Sequence, residues 1–117
     1  MTVWSRLPLS GSVNGRPIAI LSTASPGTTI HTVSTATAVR DSVYGWVWNM
    51  ATTNSILTIE WGGTATLDQM VLTIPAQDGA YAVLPGMTLV GATDIVVRGF
   101  ATATNRLFFG GYTDRAT

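Results

Sequence analysis

Apolar and polar residues alternate along this chain in short runs, with no longer period behind them. The clearest run spans residues 42–50. Tyr44, Trp46, Trp48 and Met50 fall on one side, and Val43, Gly45, Val47 and Asn49 on the other, as expected for a strand with two distinct faces. Residues 55–61 repeat the pattern, with Leu57, Ile59 and Trp61 against Ile56, Thr58 and Glu60. After Gly62-Gly63, residues 68–74 set Met70, Leu72 and Ile74 against Val71 and Thr73. These three runs hold three of the four tryptophans and the only glutamate, so residues 42–75 are read as the centre of the fold.

The flanking sequence carries the same signal more weakly. Residues 16–21 read as a first short strand, with Pro17 suited to a strand start or an edge. Ser25-Pro26-Gly27 is a turn, and the β-branched run 28–33 is the next strand. Residues 34–41 read as a loop or weak strand. Residues 80–84 form a strand ended by Pro85-Gly86, followed by a short run 87–90. Residues 94–103 alternate Ile95, Val97 and Gly99 against Val96, Arg98 and Phe100. Residues 106–112 set Leu107 and Phe109 against Phe108 and Tyr112, and 113–117 read as a polar tail. No window carries a helical stripe with capping residues. Strands with turn signals every 8–12 residues or so predict an all-β sandwich. The expectation is one domain, residues 17–117, built as a jelly-roll-like β-sandwich of about eight short antiparallel strands. Residues 1–16 are expected to be an extended N-terminal arm with two apolar handles, Trp4 and Leu7, that docks either on its own domain or on a neighbouring subunit. Its deletion is expected to spare the fold and weaken assembly.

Composition adds an argument about surface. Only 10% of residues are charged, six arginines balance six acids, and there is no lysine. About twelve charges over roughly 6,000 Å² is sparse for a surface kept soluble alone, so covered surface is expected; a neutral threonine-rich surface is the plainer alternative. Zero net charge argues against nucleic-acid binding. The chain has no cysteine, hence no disulfide and no thiolate metal site. The start lacks the basic and apolar regions of a signal peptide, and no apolar run approaches the roughly 20 residues of a membrane span. Neither secretion nor membrane insertion is expected.

Candidate chemistry is thin. His31 is the only histidine; it stands in a threonine-rich strand and reads as structural. The acids Asp41, Glu60, Asp68, Asp78, Asp94 and Asp114 are never adjacent. Glu60 and Asp68 flank the Gly62-Gly63 turn, and Asp68, Asp78 and Asp94 stand at turn positions, where aspartate bonds nearby amides. Gly62-Gly63-Thr64 lacks the lysine and helix of a phosphate loop. No nucleophile elbow is present. No catalytic residue, metal ligand or cofactor is expected, and the chain is not read as an enzyme. Trp46 and Trp48 share one strand face about 7 Å apart. That pair fits core packing, a subunit contact, where aromatics are enriched, or a platform for sugar rings. Arg98 and Arg106 are suited to pairing with acids across strands or subunits. The partner-contact residues are thus Trp4, Leu7, Trp46, Trp48 and Arg98.

One resemblance sharpens this. LPLSGSVNGRPIAI (7–20), PGTTIHT (26–32), LTIEWGGT (57–64) followed by Asp68, TIPAQDG (73–79), LPG (84–86) and IVVRGFA (95–101) together resemble small proteins from the structural gene blocks of tailed bacteriophages, of the capsid decoration (cement) type. The resemblance implies a structural virion protein on the capsid surface, made in the host cytoplasm. Its partner would be the major capsid protein, with self-association as a dimer or trimer. A head–tail or tail component, or a virion-associated module binding a receptor or glycan on the Trp46/Trp48 face, is the alternative.

Overall fold

The computed structural model describes residues 2–117; Met1 lies outside them. Among the described residues there are nine strands and one 3-10 turn: β1 Trp4–Pro8, β2 Ile18–Ala19, β3 Thr28–Thr32, β4 Arg40–Asn49, β5 Ser55–Trp61, the turn Thr66–Asp68, β6 Gln69–Ile74, β7 Ala80–Val90, β8 Val96–Ala101 and β9 Leu107–Ala116. They form two antiparallel sheets. The front sheet runs β1-β9-β4-β7, with β2 also on β9, and the back sheet runs β3-β8-β5-β6. β2 pairs with β9, β3 with β8, β4 with β7 and β5 with β6. The chain is therefore one long hairpin, bent at the β5–β6 connection and rolled so that successive strand pairs alternate between sheets. This is the jelly-roll order, and the expected all-β sandwich is what forms.

The strands form where the sequence is rich in β-branched and aromatic residues, and the core lies between the sheets. Val43 and Val47 of β4, Leu107 and Phe109 of β9, and Leu84 of β7 meet Ile30, Leu57, Ile59, Ile74 and Val97 of the back sheet. Each such side chain contributes about 1.5–3 kcal/mol on full burial. On β4 the small face is the inner one. Val43, Gly45 and Val47 are fully buried while Tyr44, Trp46 and Trp48 face out. Gly45 explains the choice: a Cβ there would run into the tip of the Phe109 ring, which fills that space from β9.

Three expectations need correction. First, the segment read as an arm does not stand apart from the domain; among its described residues Trp4–Pro8 is strand and residues 10–15 are turns and bends. β1 pairs with β9 from Trp4↔Ala116 to Pro8↔Tyr112, Leu9 is 1% exposed within the core cluster, and the Gly11 amide donates to the Ile30 carbonyl. The boundary at residue 16 therefore cuts through packed structure. Second, residues 113–117 are not a tail, since β9 continues to Ala116. Their polar side chains have partners: Thr113 donates to the Ser42 carbonyl, Asp114 accepts from Arg6 and Arg115 donates to Asp41. Third, Pro85-Gly86 does not end a strand. β7 runs through it because it is the edge of the front sheet, where a missing N–H costs no ladder bond. Gly86, at φ 99°, is the extra residue of a bulge between the pairs Val43↔Met87 and Tyr44↔Pro85.

Candidate functional site: the outer face of the front sheet

Strand parity and register assemble this face. Tyr44, Trp46 and Trp48 point outward from β4, and their register partners on β9 are Tyr112, Gly110 and Phe108. On the other flank Trp46 stands opposite Ala82 and Trp48 opposite Ala80. On the β7 side the two tryptophans are thus bordered by small residues. Glycine makes room where a ring lies across the sheet. The outer edge of the Trp48 six-membered ring comes within 3.2 Å of where a Gly110 Cβ would stand, and the Tyr44 phenol within 2.6 Å of a Cβ at Gly86. The Tyr44 and Tyr112 rings stack at 4.8 Å between centroids, and Trp46 and Tyr112 lie 6.1 Å apart. Aromatic pairs in this range contribute about 0.5–1.5 kcal/mol beyond their buried area.

The Arg6 guanidinium lies 4.1 Å from the Tyr112 ring centroid and donates to Asp114 at 2.9 and 3.2 Å. Arg6, Tyr112 and Tyr44 therefore form a layered stack across β1, β9 and β4. The hydrogen bond from Arg6 holds the Asp114 carboxyl below its ordinary range. Among the described residues, this ion pair leaves the centre of the face without a free charge. Trp46 is 37% exposed and Met50 61%. Two grooves lie beside Trp48. One, of about 260 Å³, is walled by Pro17, Trp48, Met50 and Phe108; the other, of about 380 Å³, lies between Trp48 and Met50 on one side and Gln77 and Gly79 on the other.

Of the five residues singled out as contacts, Trp46 and Trp48 stand at the centre of this face. Trp4 lies at its β1 edge, 65% exposed. Leu7 is half-buried on the opposite side of β1. Arg98 is elsewhere: it is on the back sheet, in register with Glu60, and among the described residues its side chain makes no hydrogen bond or ion pair. Trp61 packs against the core, whereas Trp46 and Trp48, for which core packing was one of three expectations, do not. Tyr44, Phe108, Tyr112 and Arg6 complete the face and were not singled out. Their parity was legible within each strand, but the register that joins β4 to β9 was not.

The other chemistry-bearing residues are engaged in structure. His31 Nε2 is 2.7 Å from Asp41 Oδ2, while the Ser10 amide donates to His31 Nδ1 at 3.1 Å. With Nδ1 accepting, the ring is the neutral tautomer that donates from Nε2. Arg115 donates to both Asp41 oxygens at 2.7 and 2.8 Å. Burial pushes the Asp41 carboxyl up, but the hydrogen bonds from Arg115 and His31 outweigh it and hold it below the usual carboxylate range. This network ties the segment after β1 and strands β3, β4 and β9 together. Glu60 is fully buried and accepts from the Ser25 hydroxyl and the Gly27 amide, both at 2.6 Å, fastening that turn over the back sheet. It does not meet Asp68. Arg106 donates to the Thr53 hydroxyl rather than to an acid. Among the described residues no three His, Cys, Asp or Glu side chains gather as a metal site, and no helix is long and apolar enough to cross a membrane.

A scan against protein-family models, a search of curated proteins and a search of solved structures each return no match to this chain.

Proposed function

We propose that this chain is a structural, non-catalytic subunit of a tailed-phage virion, a decoration protein that binds the outer head shell across neighbouring capsid subunits and stabilises it. The observation that carries the reading is the outer face of the front sheet, a row of Tyr44, Trp46, Trp48, Phe108 and Tyr112 whose nearby charges, Arg6 and Asp114, neutralise each other. Tryptophan, tyrosine and arginine are the residues that dominate binding energy at protein contacts. Self-association as a dimer or trimer would repeat the face and let weak contacts add by multivalency. The test is to add the purified protein to heads that lack it. Saturable binding and raised heat resistance are expected, with both weakened by Trp46→Ala. Absence of binding, or bound heads no more heat-resistant than bare ones, would overturn the reading.

A second reading, a virion-associated module taking a receptor or glycan on the same face, is favoured by the exposure of Trp46 and the grooves beside Trp48. Titration of the Trp4→Ala variant with neutral oligosaccharides, followed by tryptophan fluorescence, separates the two readings, since shell docking predicts no response to free sugar at Trp46 and Trp48.

A further inference from the structure

At the other end of the same face, about 20 Å along β4 from Trp48 at the usual strand rise, lies a groove of different chemistry. It encloses about 310 Å³ among Trp4, Arg40, Ser42, Thr88, Ala116 and Thr117. Small-ligand sites start at about 300 Å³, so this one is the size of a single sugar-like unit. Trp4 forms one wall and is 65% exposed although it stands on a paired strand. Ala116, opposite Trp4 in register, is small and keeps the floor low. Ser42 and Thr88 face each other across β4 and β7 with their hydroxyls 2.9 Å apart. Arg40 is exposed, and among the described residues no acid lies within ion-pair distance of it. The backbone of Thr117, on the rim, is engaged with Val3 in both directions. The nearest acid along β9, Asp114, is taken by Arg6.

We propose that this groove binds a carboxylate-bearing pyranose, a uronic-acid unit of an acidic polysaccharide. Each part of the groove has a matching part in that ligand. The indole of Trp4 takes the C–H face of the sugar ring, as aromatic faces take apolar surface with a polar rim. The planar guanidinium of Arg40 pairs with the carboxylate in two parallel hydrogen bonds. The Ser42 and Thr88 hydroxyls, each both donor and acceptor, meet the ring hydroxyls. A side-chain carboxylate of a protein would use Arg40 but leave the paired hydroxyls and most of the indole idle. The site does not depend on how the aromatic half of the face is used.

The experiment is a titration of the full chain with short oligogalacturonides, followed by tryptophan fluorescence and by calorimetry. Cello-oligosaccharides, acetate and an oligoglutamate peptide serve as comparison probes. Saturable binding of the oligogalacturonide is expected, with affinity lowered at least tenfold by Arg40→Gln and by Trp4→Ala and reduced as salt is raised. Arg40 and Trp4 are exposed, so both variants should melt near the parent temperature, and melting curves check this. The proposal is overturned if the oligogalacturonide does not bind, if Arg40→Gln binds it unchanged, if the neutral oligomer binds equally, or if acetate or oligoglutamate competes as well as the uronide.

Discussion

Replacing Asp41 with alanine removes the centre of the network that joins both sheets. Its carboxylate accepts three hydrogen bonds, two from Arg115 and one from His31. Bonds to a charged group contribute about 1.5–3 kcal/mol each, but they cannot simply be added. The Arg115 side chain is 26% exposed and regains water, whereas the His31 side chain is 2% exposed and loses its acceptor. Breaking a buried pair from one side costs about 3–5 kcal/mol; with Arg115 at the rim the expected loss is near the lower end, about 3 kcal/mol. Against a total of roughly 5–15 kcal/mol, that is a fall in melting temperature of about 12 °C at about 4 °C per kcal/mol for a domain of this size. Asp114→Ala is the matched control. It removes the same charge and also strands an arginine, but its pair is exposed to solvent, where ion pairs add little. Thermal and urea unfolding of both variants decide the matter. If Asp41→Ala melts no lower than Asp114→Ala, the network does not hold the sheets together as argued. The acid limb gives a second check. The Asp41 carboxyl titrates below its unfolded value of about 3.9 because Arg115 and His31 outweigh burial. Its contribution is complete above that value and drains away as pH falls through the lower folded one. The gap between parent and Asp41→Ala should therefore narrow below about pH 4.

Three further outcomes follow from the packing. Gly45→Ala should cost about 1–3 kcal/mol by overpacking against Phe109, and adding Phe109→Leu should recover part of it in denaturant titrations; a neutral Gly45→Ala would refute the account of the inner face. Leu9→Ala should cost about 2–5 kcal/mol, and deletion of residues 1–16 should abolish cooperative melting; a deletion variant that melts like the parent would restore the independent-arm picture. Glu60→Ala leaves the Gly27 amide without its acceptor, a loss of about 1–3 kcal/mol; protease cleavage within residues 22–27 should appear in this variant and not in Glu60→Gln.

Much of the fold was legible in period-2 alternation, because strands with one buried face must alternate. The faces of β4 and β5 were divided correctly along the chain. Which face of β4 turns inward was not legible, since both carry apolar residues. The answer depends on Phe109, more than sixty residues away, occupying the space above Gly45. The end of β9 was missed for a related reason. Thr113, Asp114 and Arg115 look like solvent-loving residues until their partners Ser42, Arg6 and Asp41 are brought alongside by register. The aromatic face was half visible for the same cause. Trp46 and Trp48 stand out within one strand, while Arg6 and Tyr112 become part of the same surface only through pairing across β1, β9 and β4.

The rolled-hairpin order places the two ends of the described chain side by side, with Val3 and Thr117 exchanging backbone hydrogen bonds. Anything attached at either end therefore departs from one corner of the molecule, beside the Trp4–Arg40 groove and away from Trp48. A short peptide joining the ends would close the chain into a ring, and new ends opened between β5 and β6 would yield a permuted molecule with the same strand neighbours. A bulky fusion at either end would crowd the groove and leave the aromatic half open, so one tagged protein offers a way to silence one end of the face while leaving the other in play.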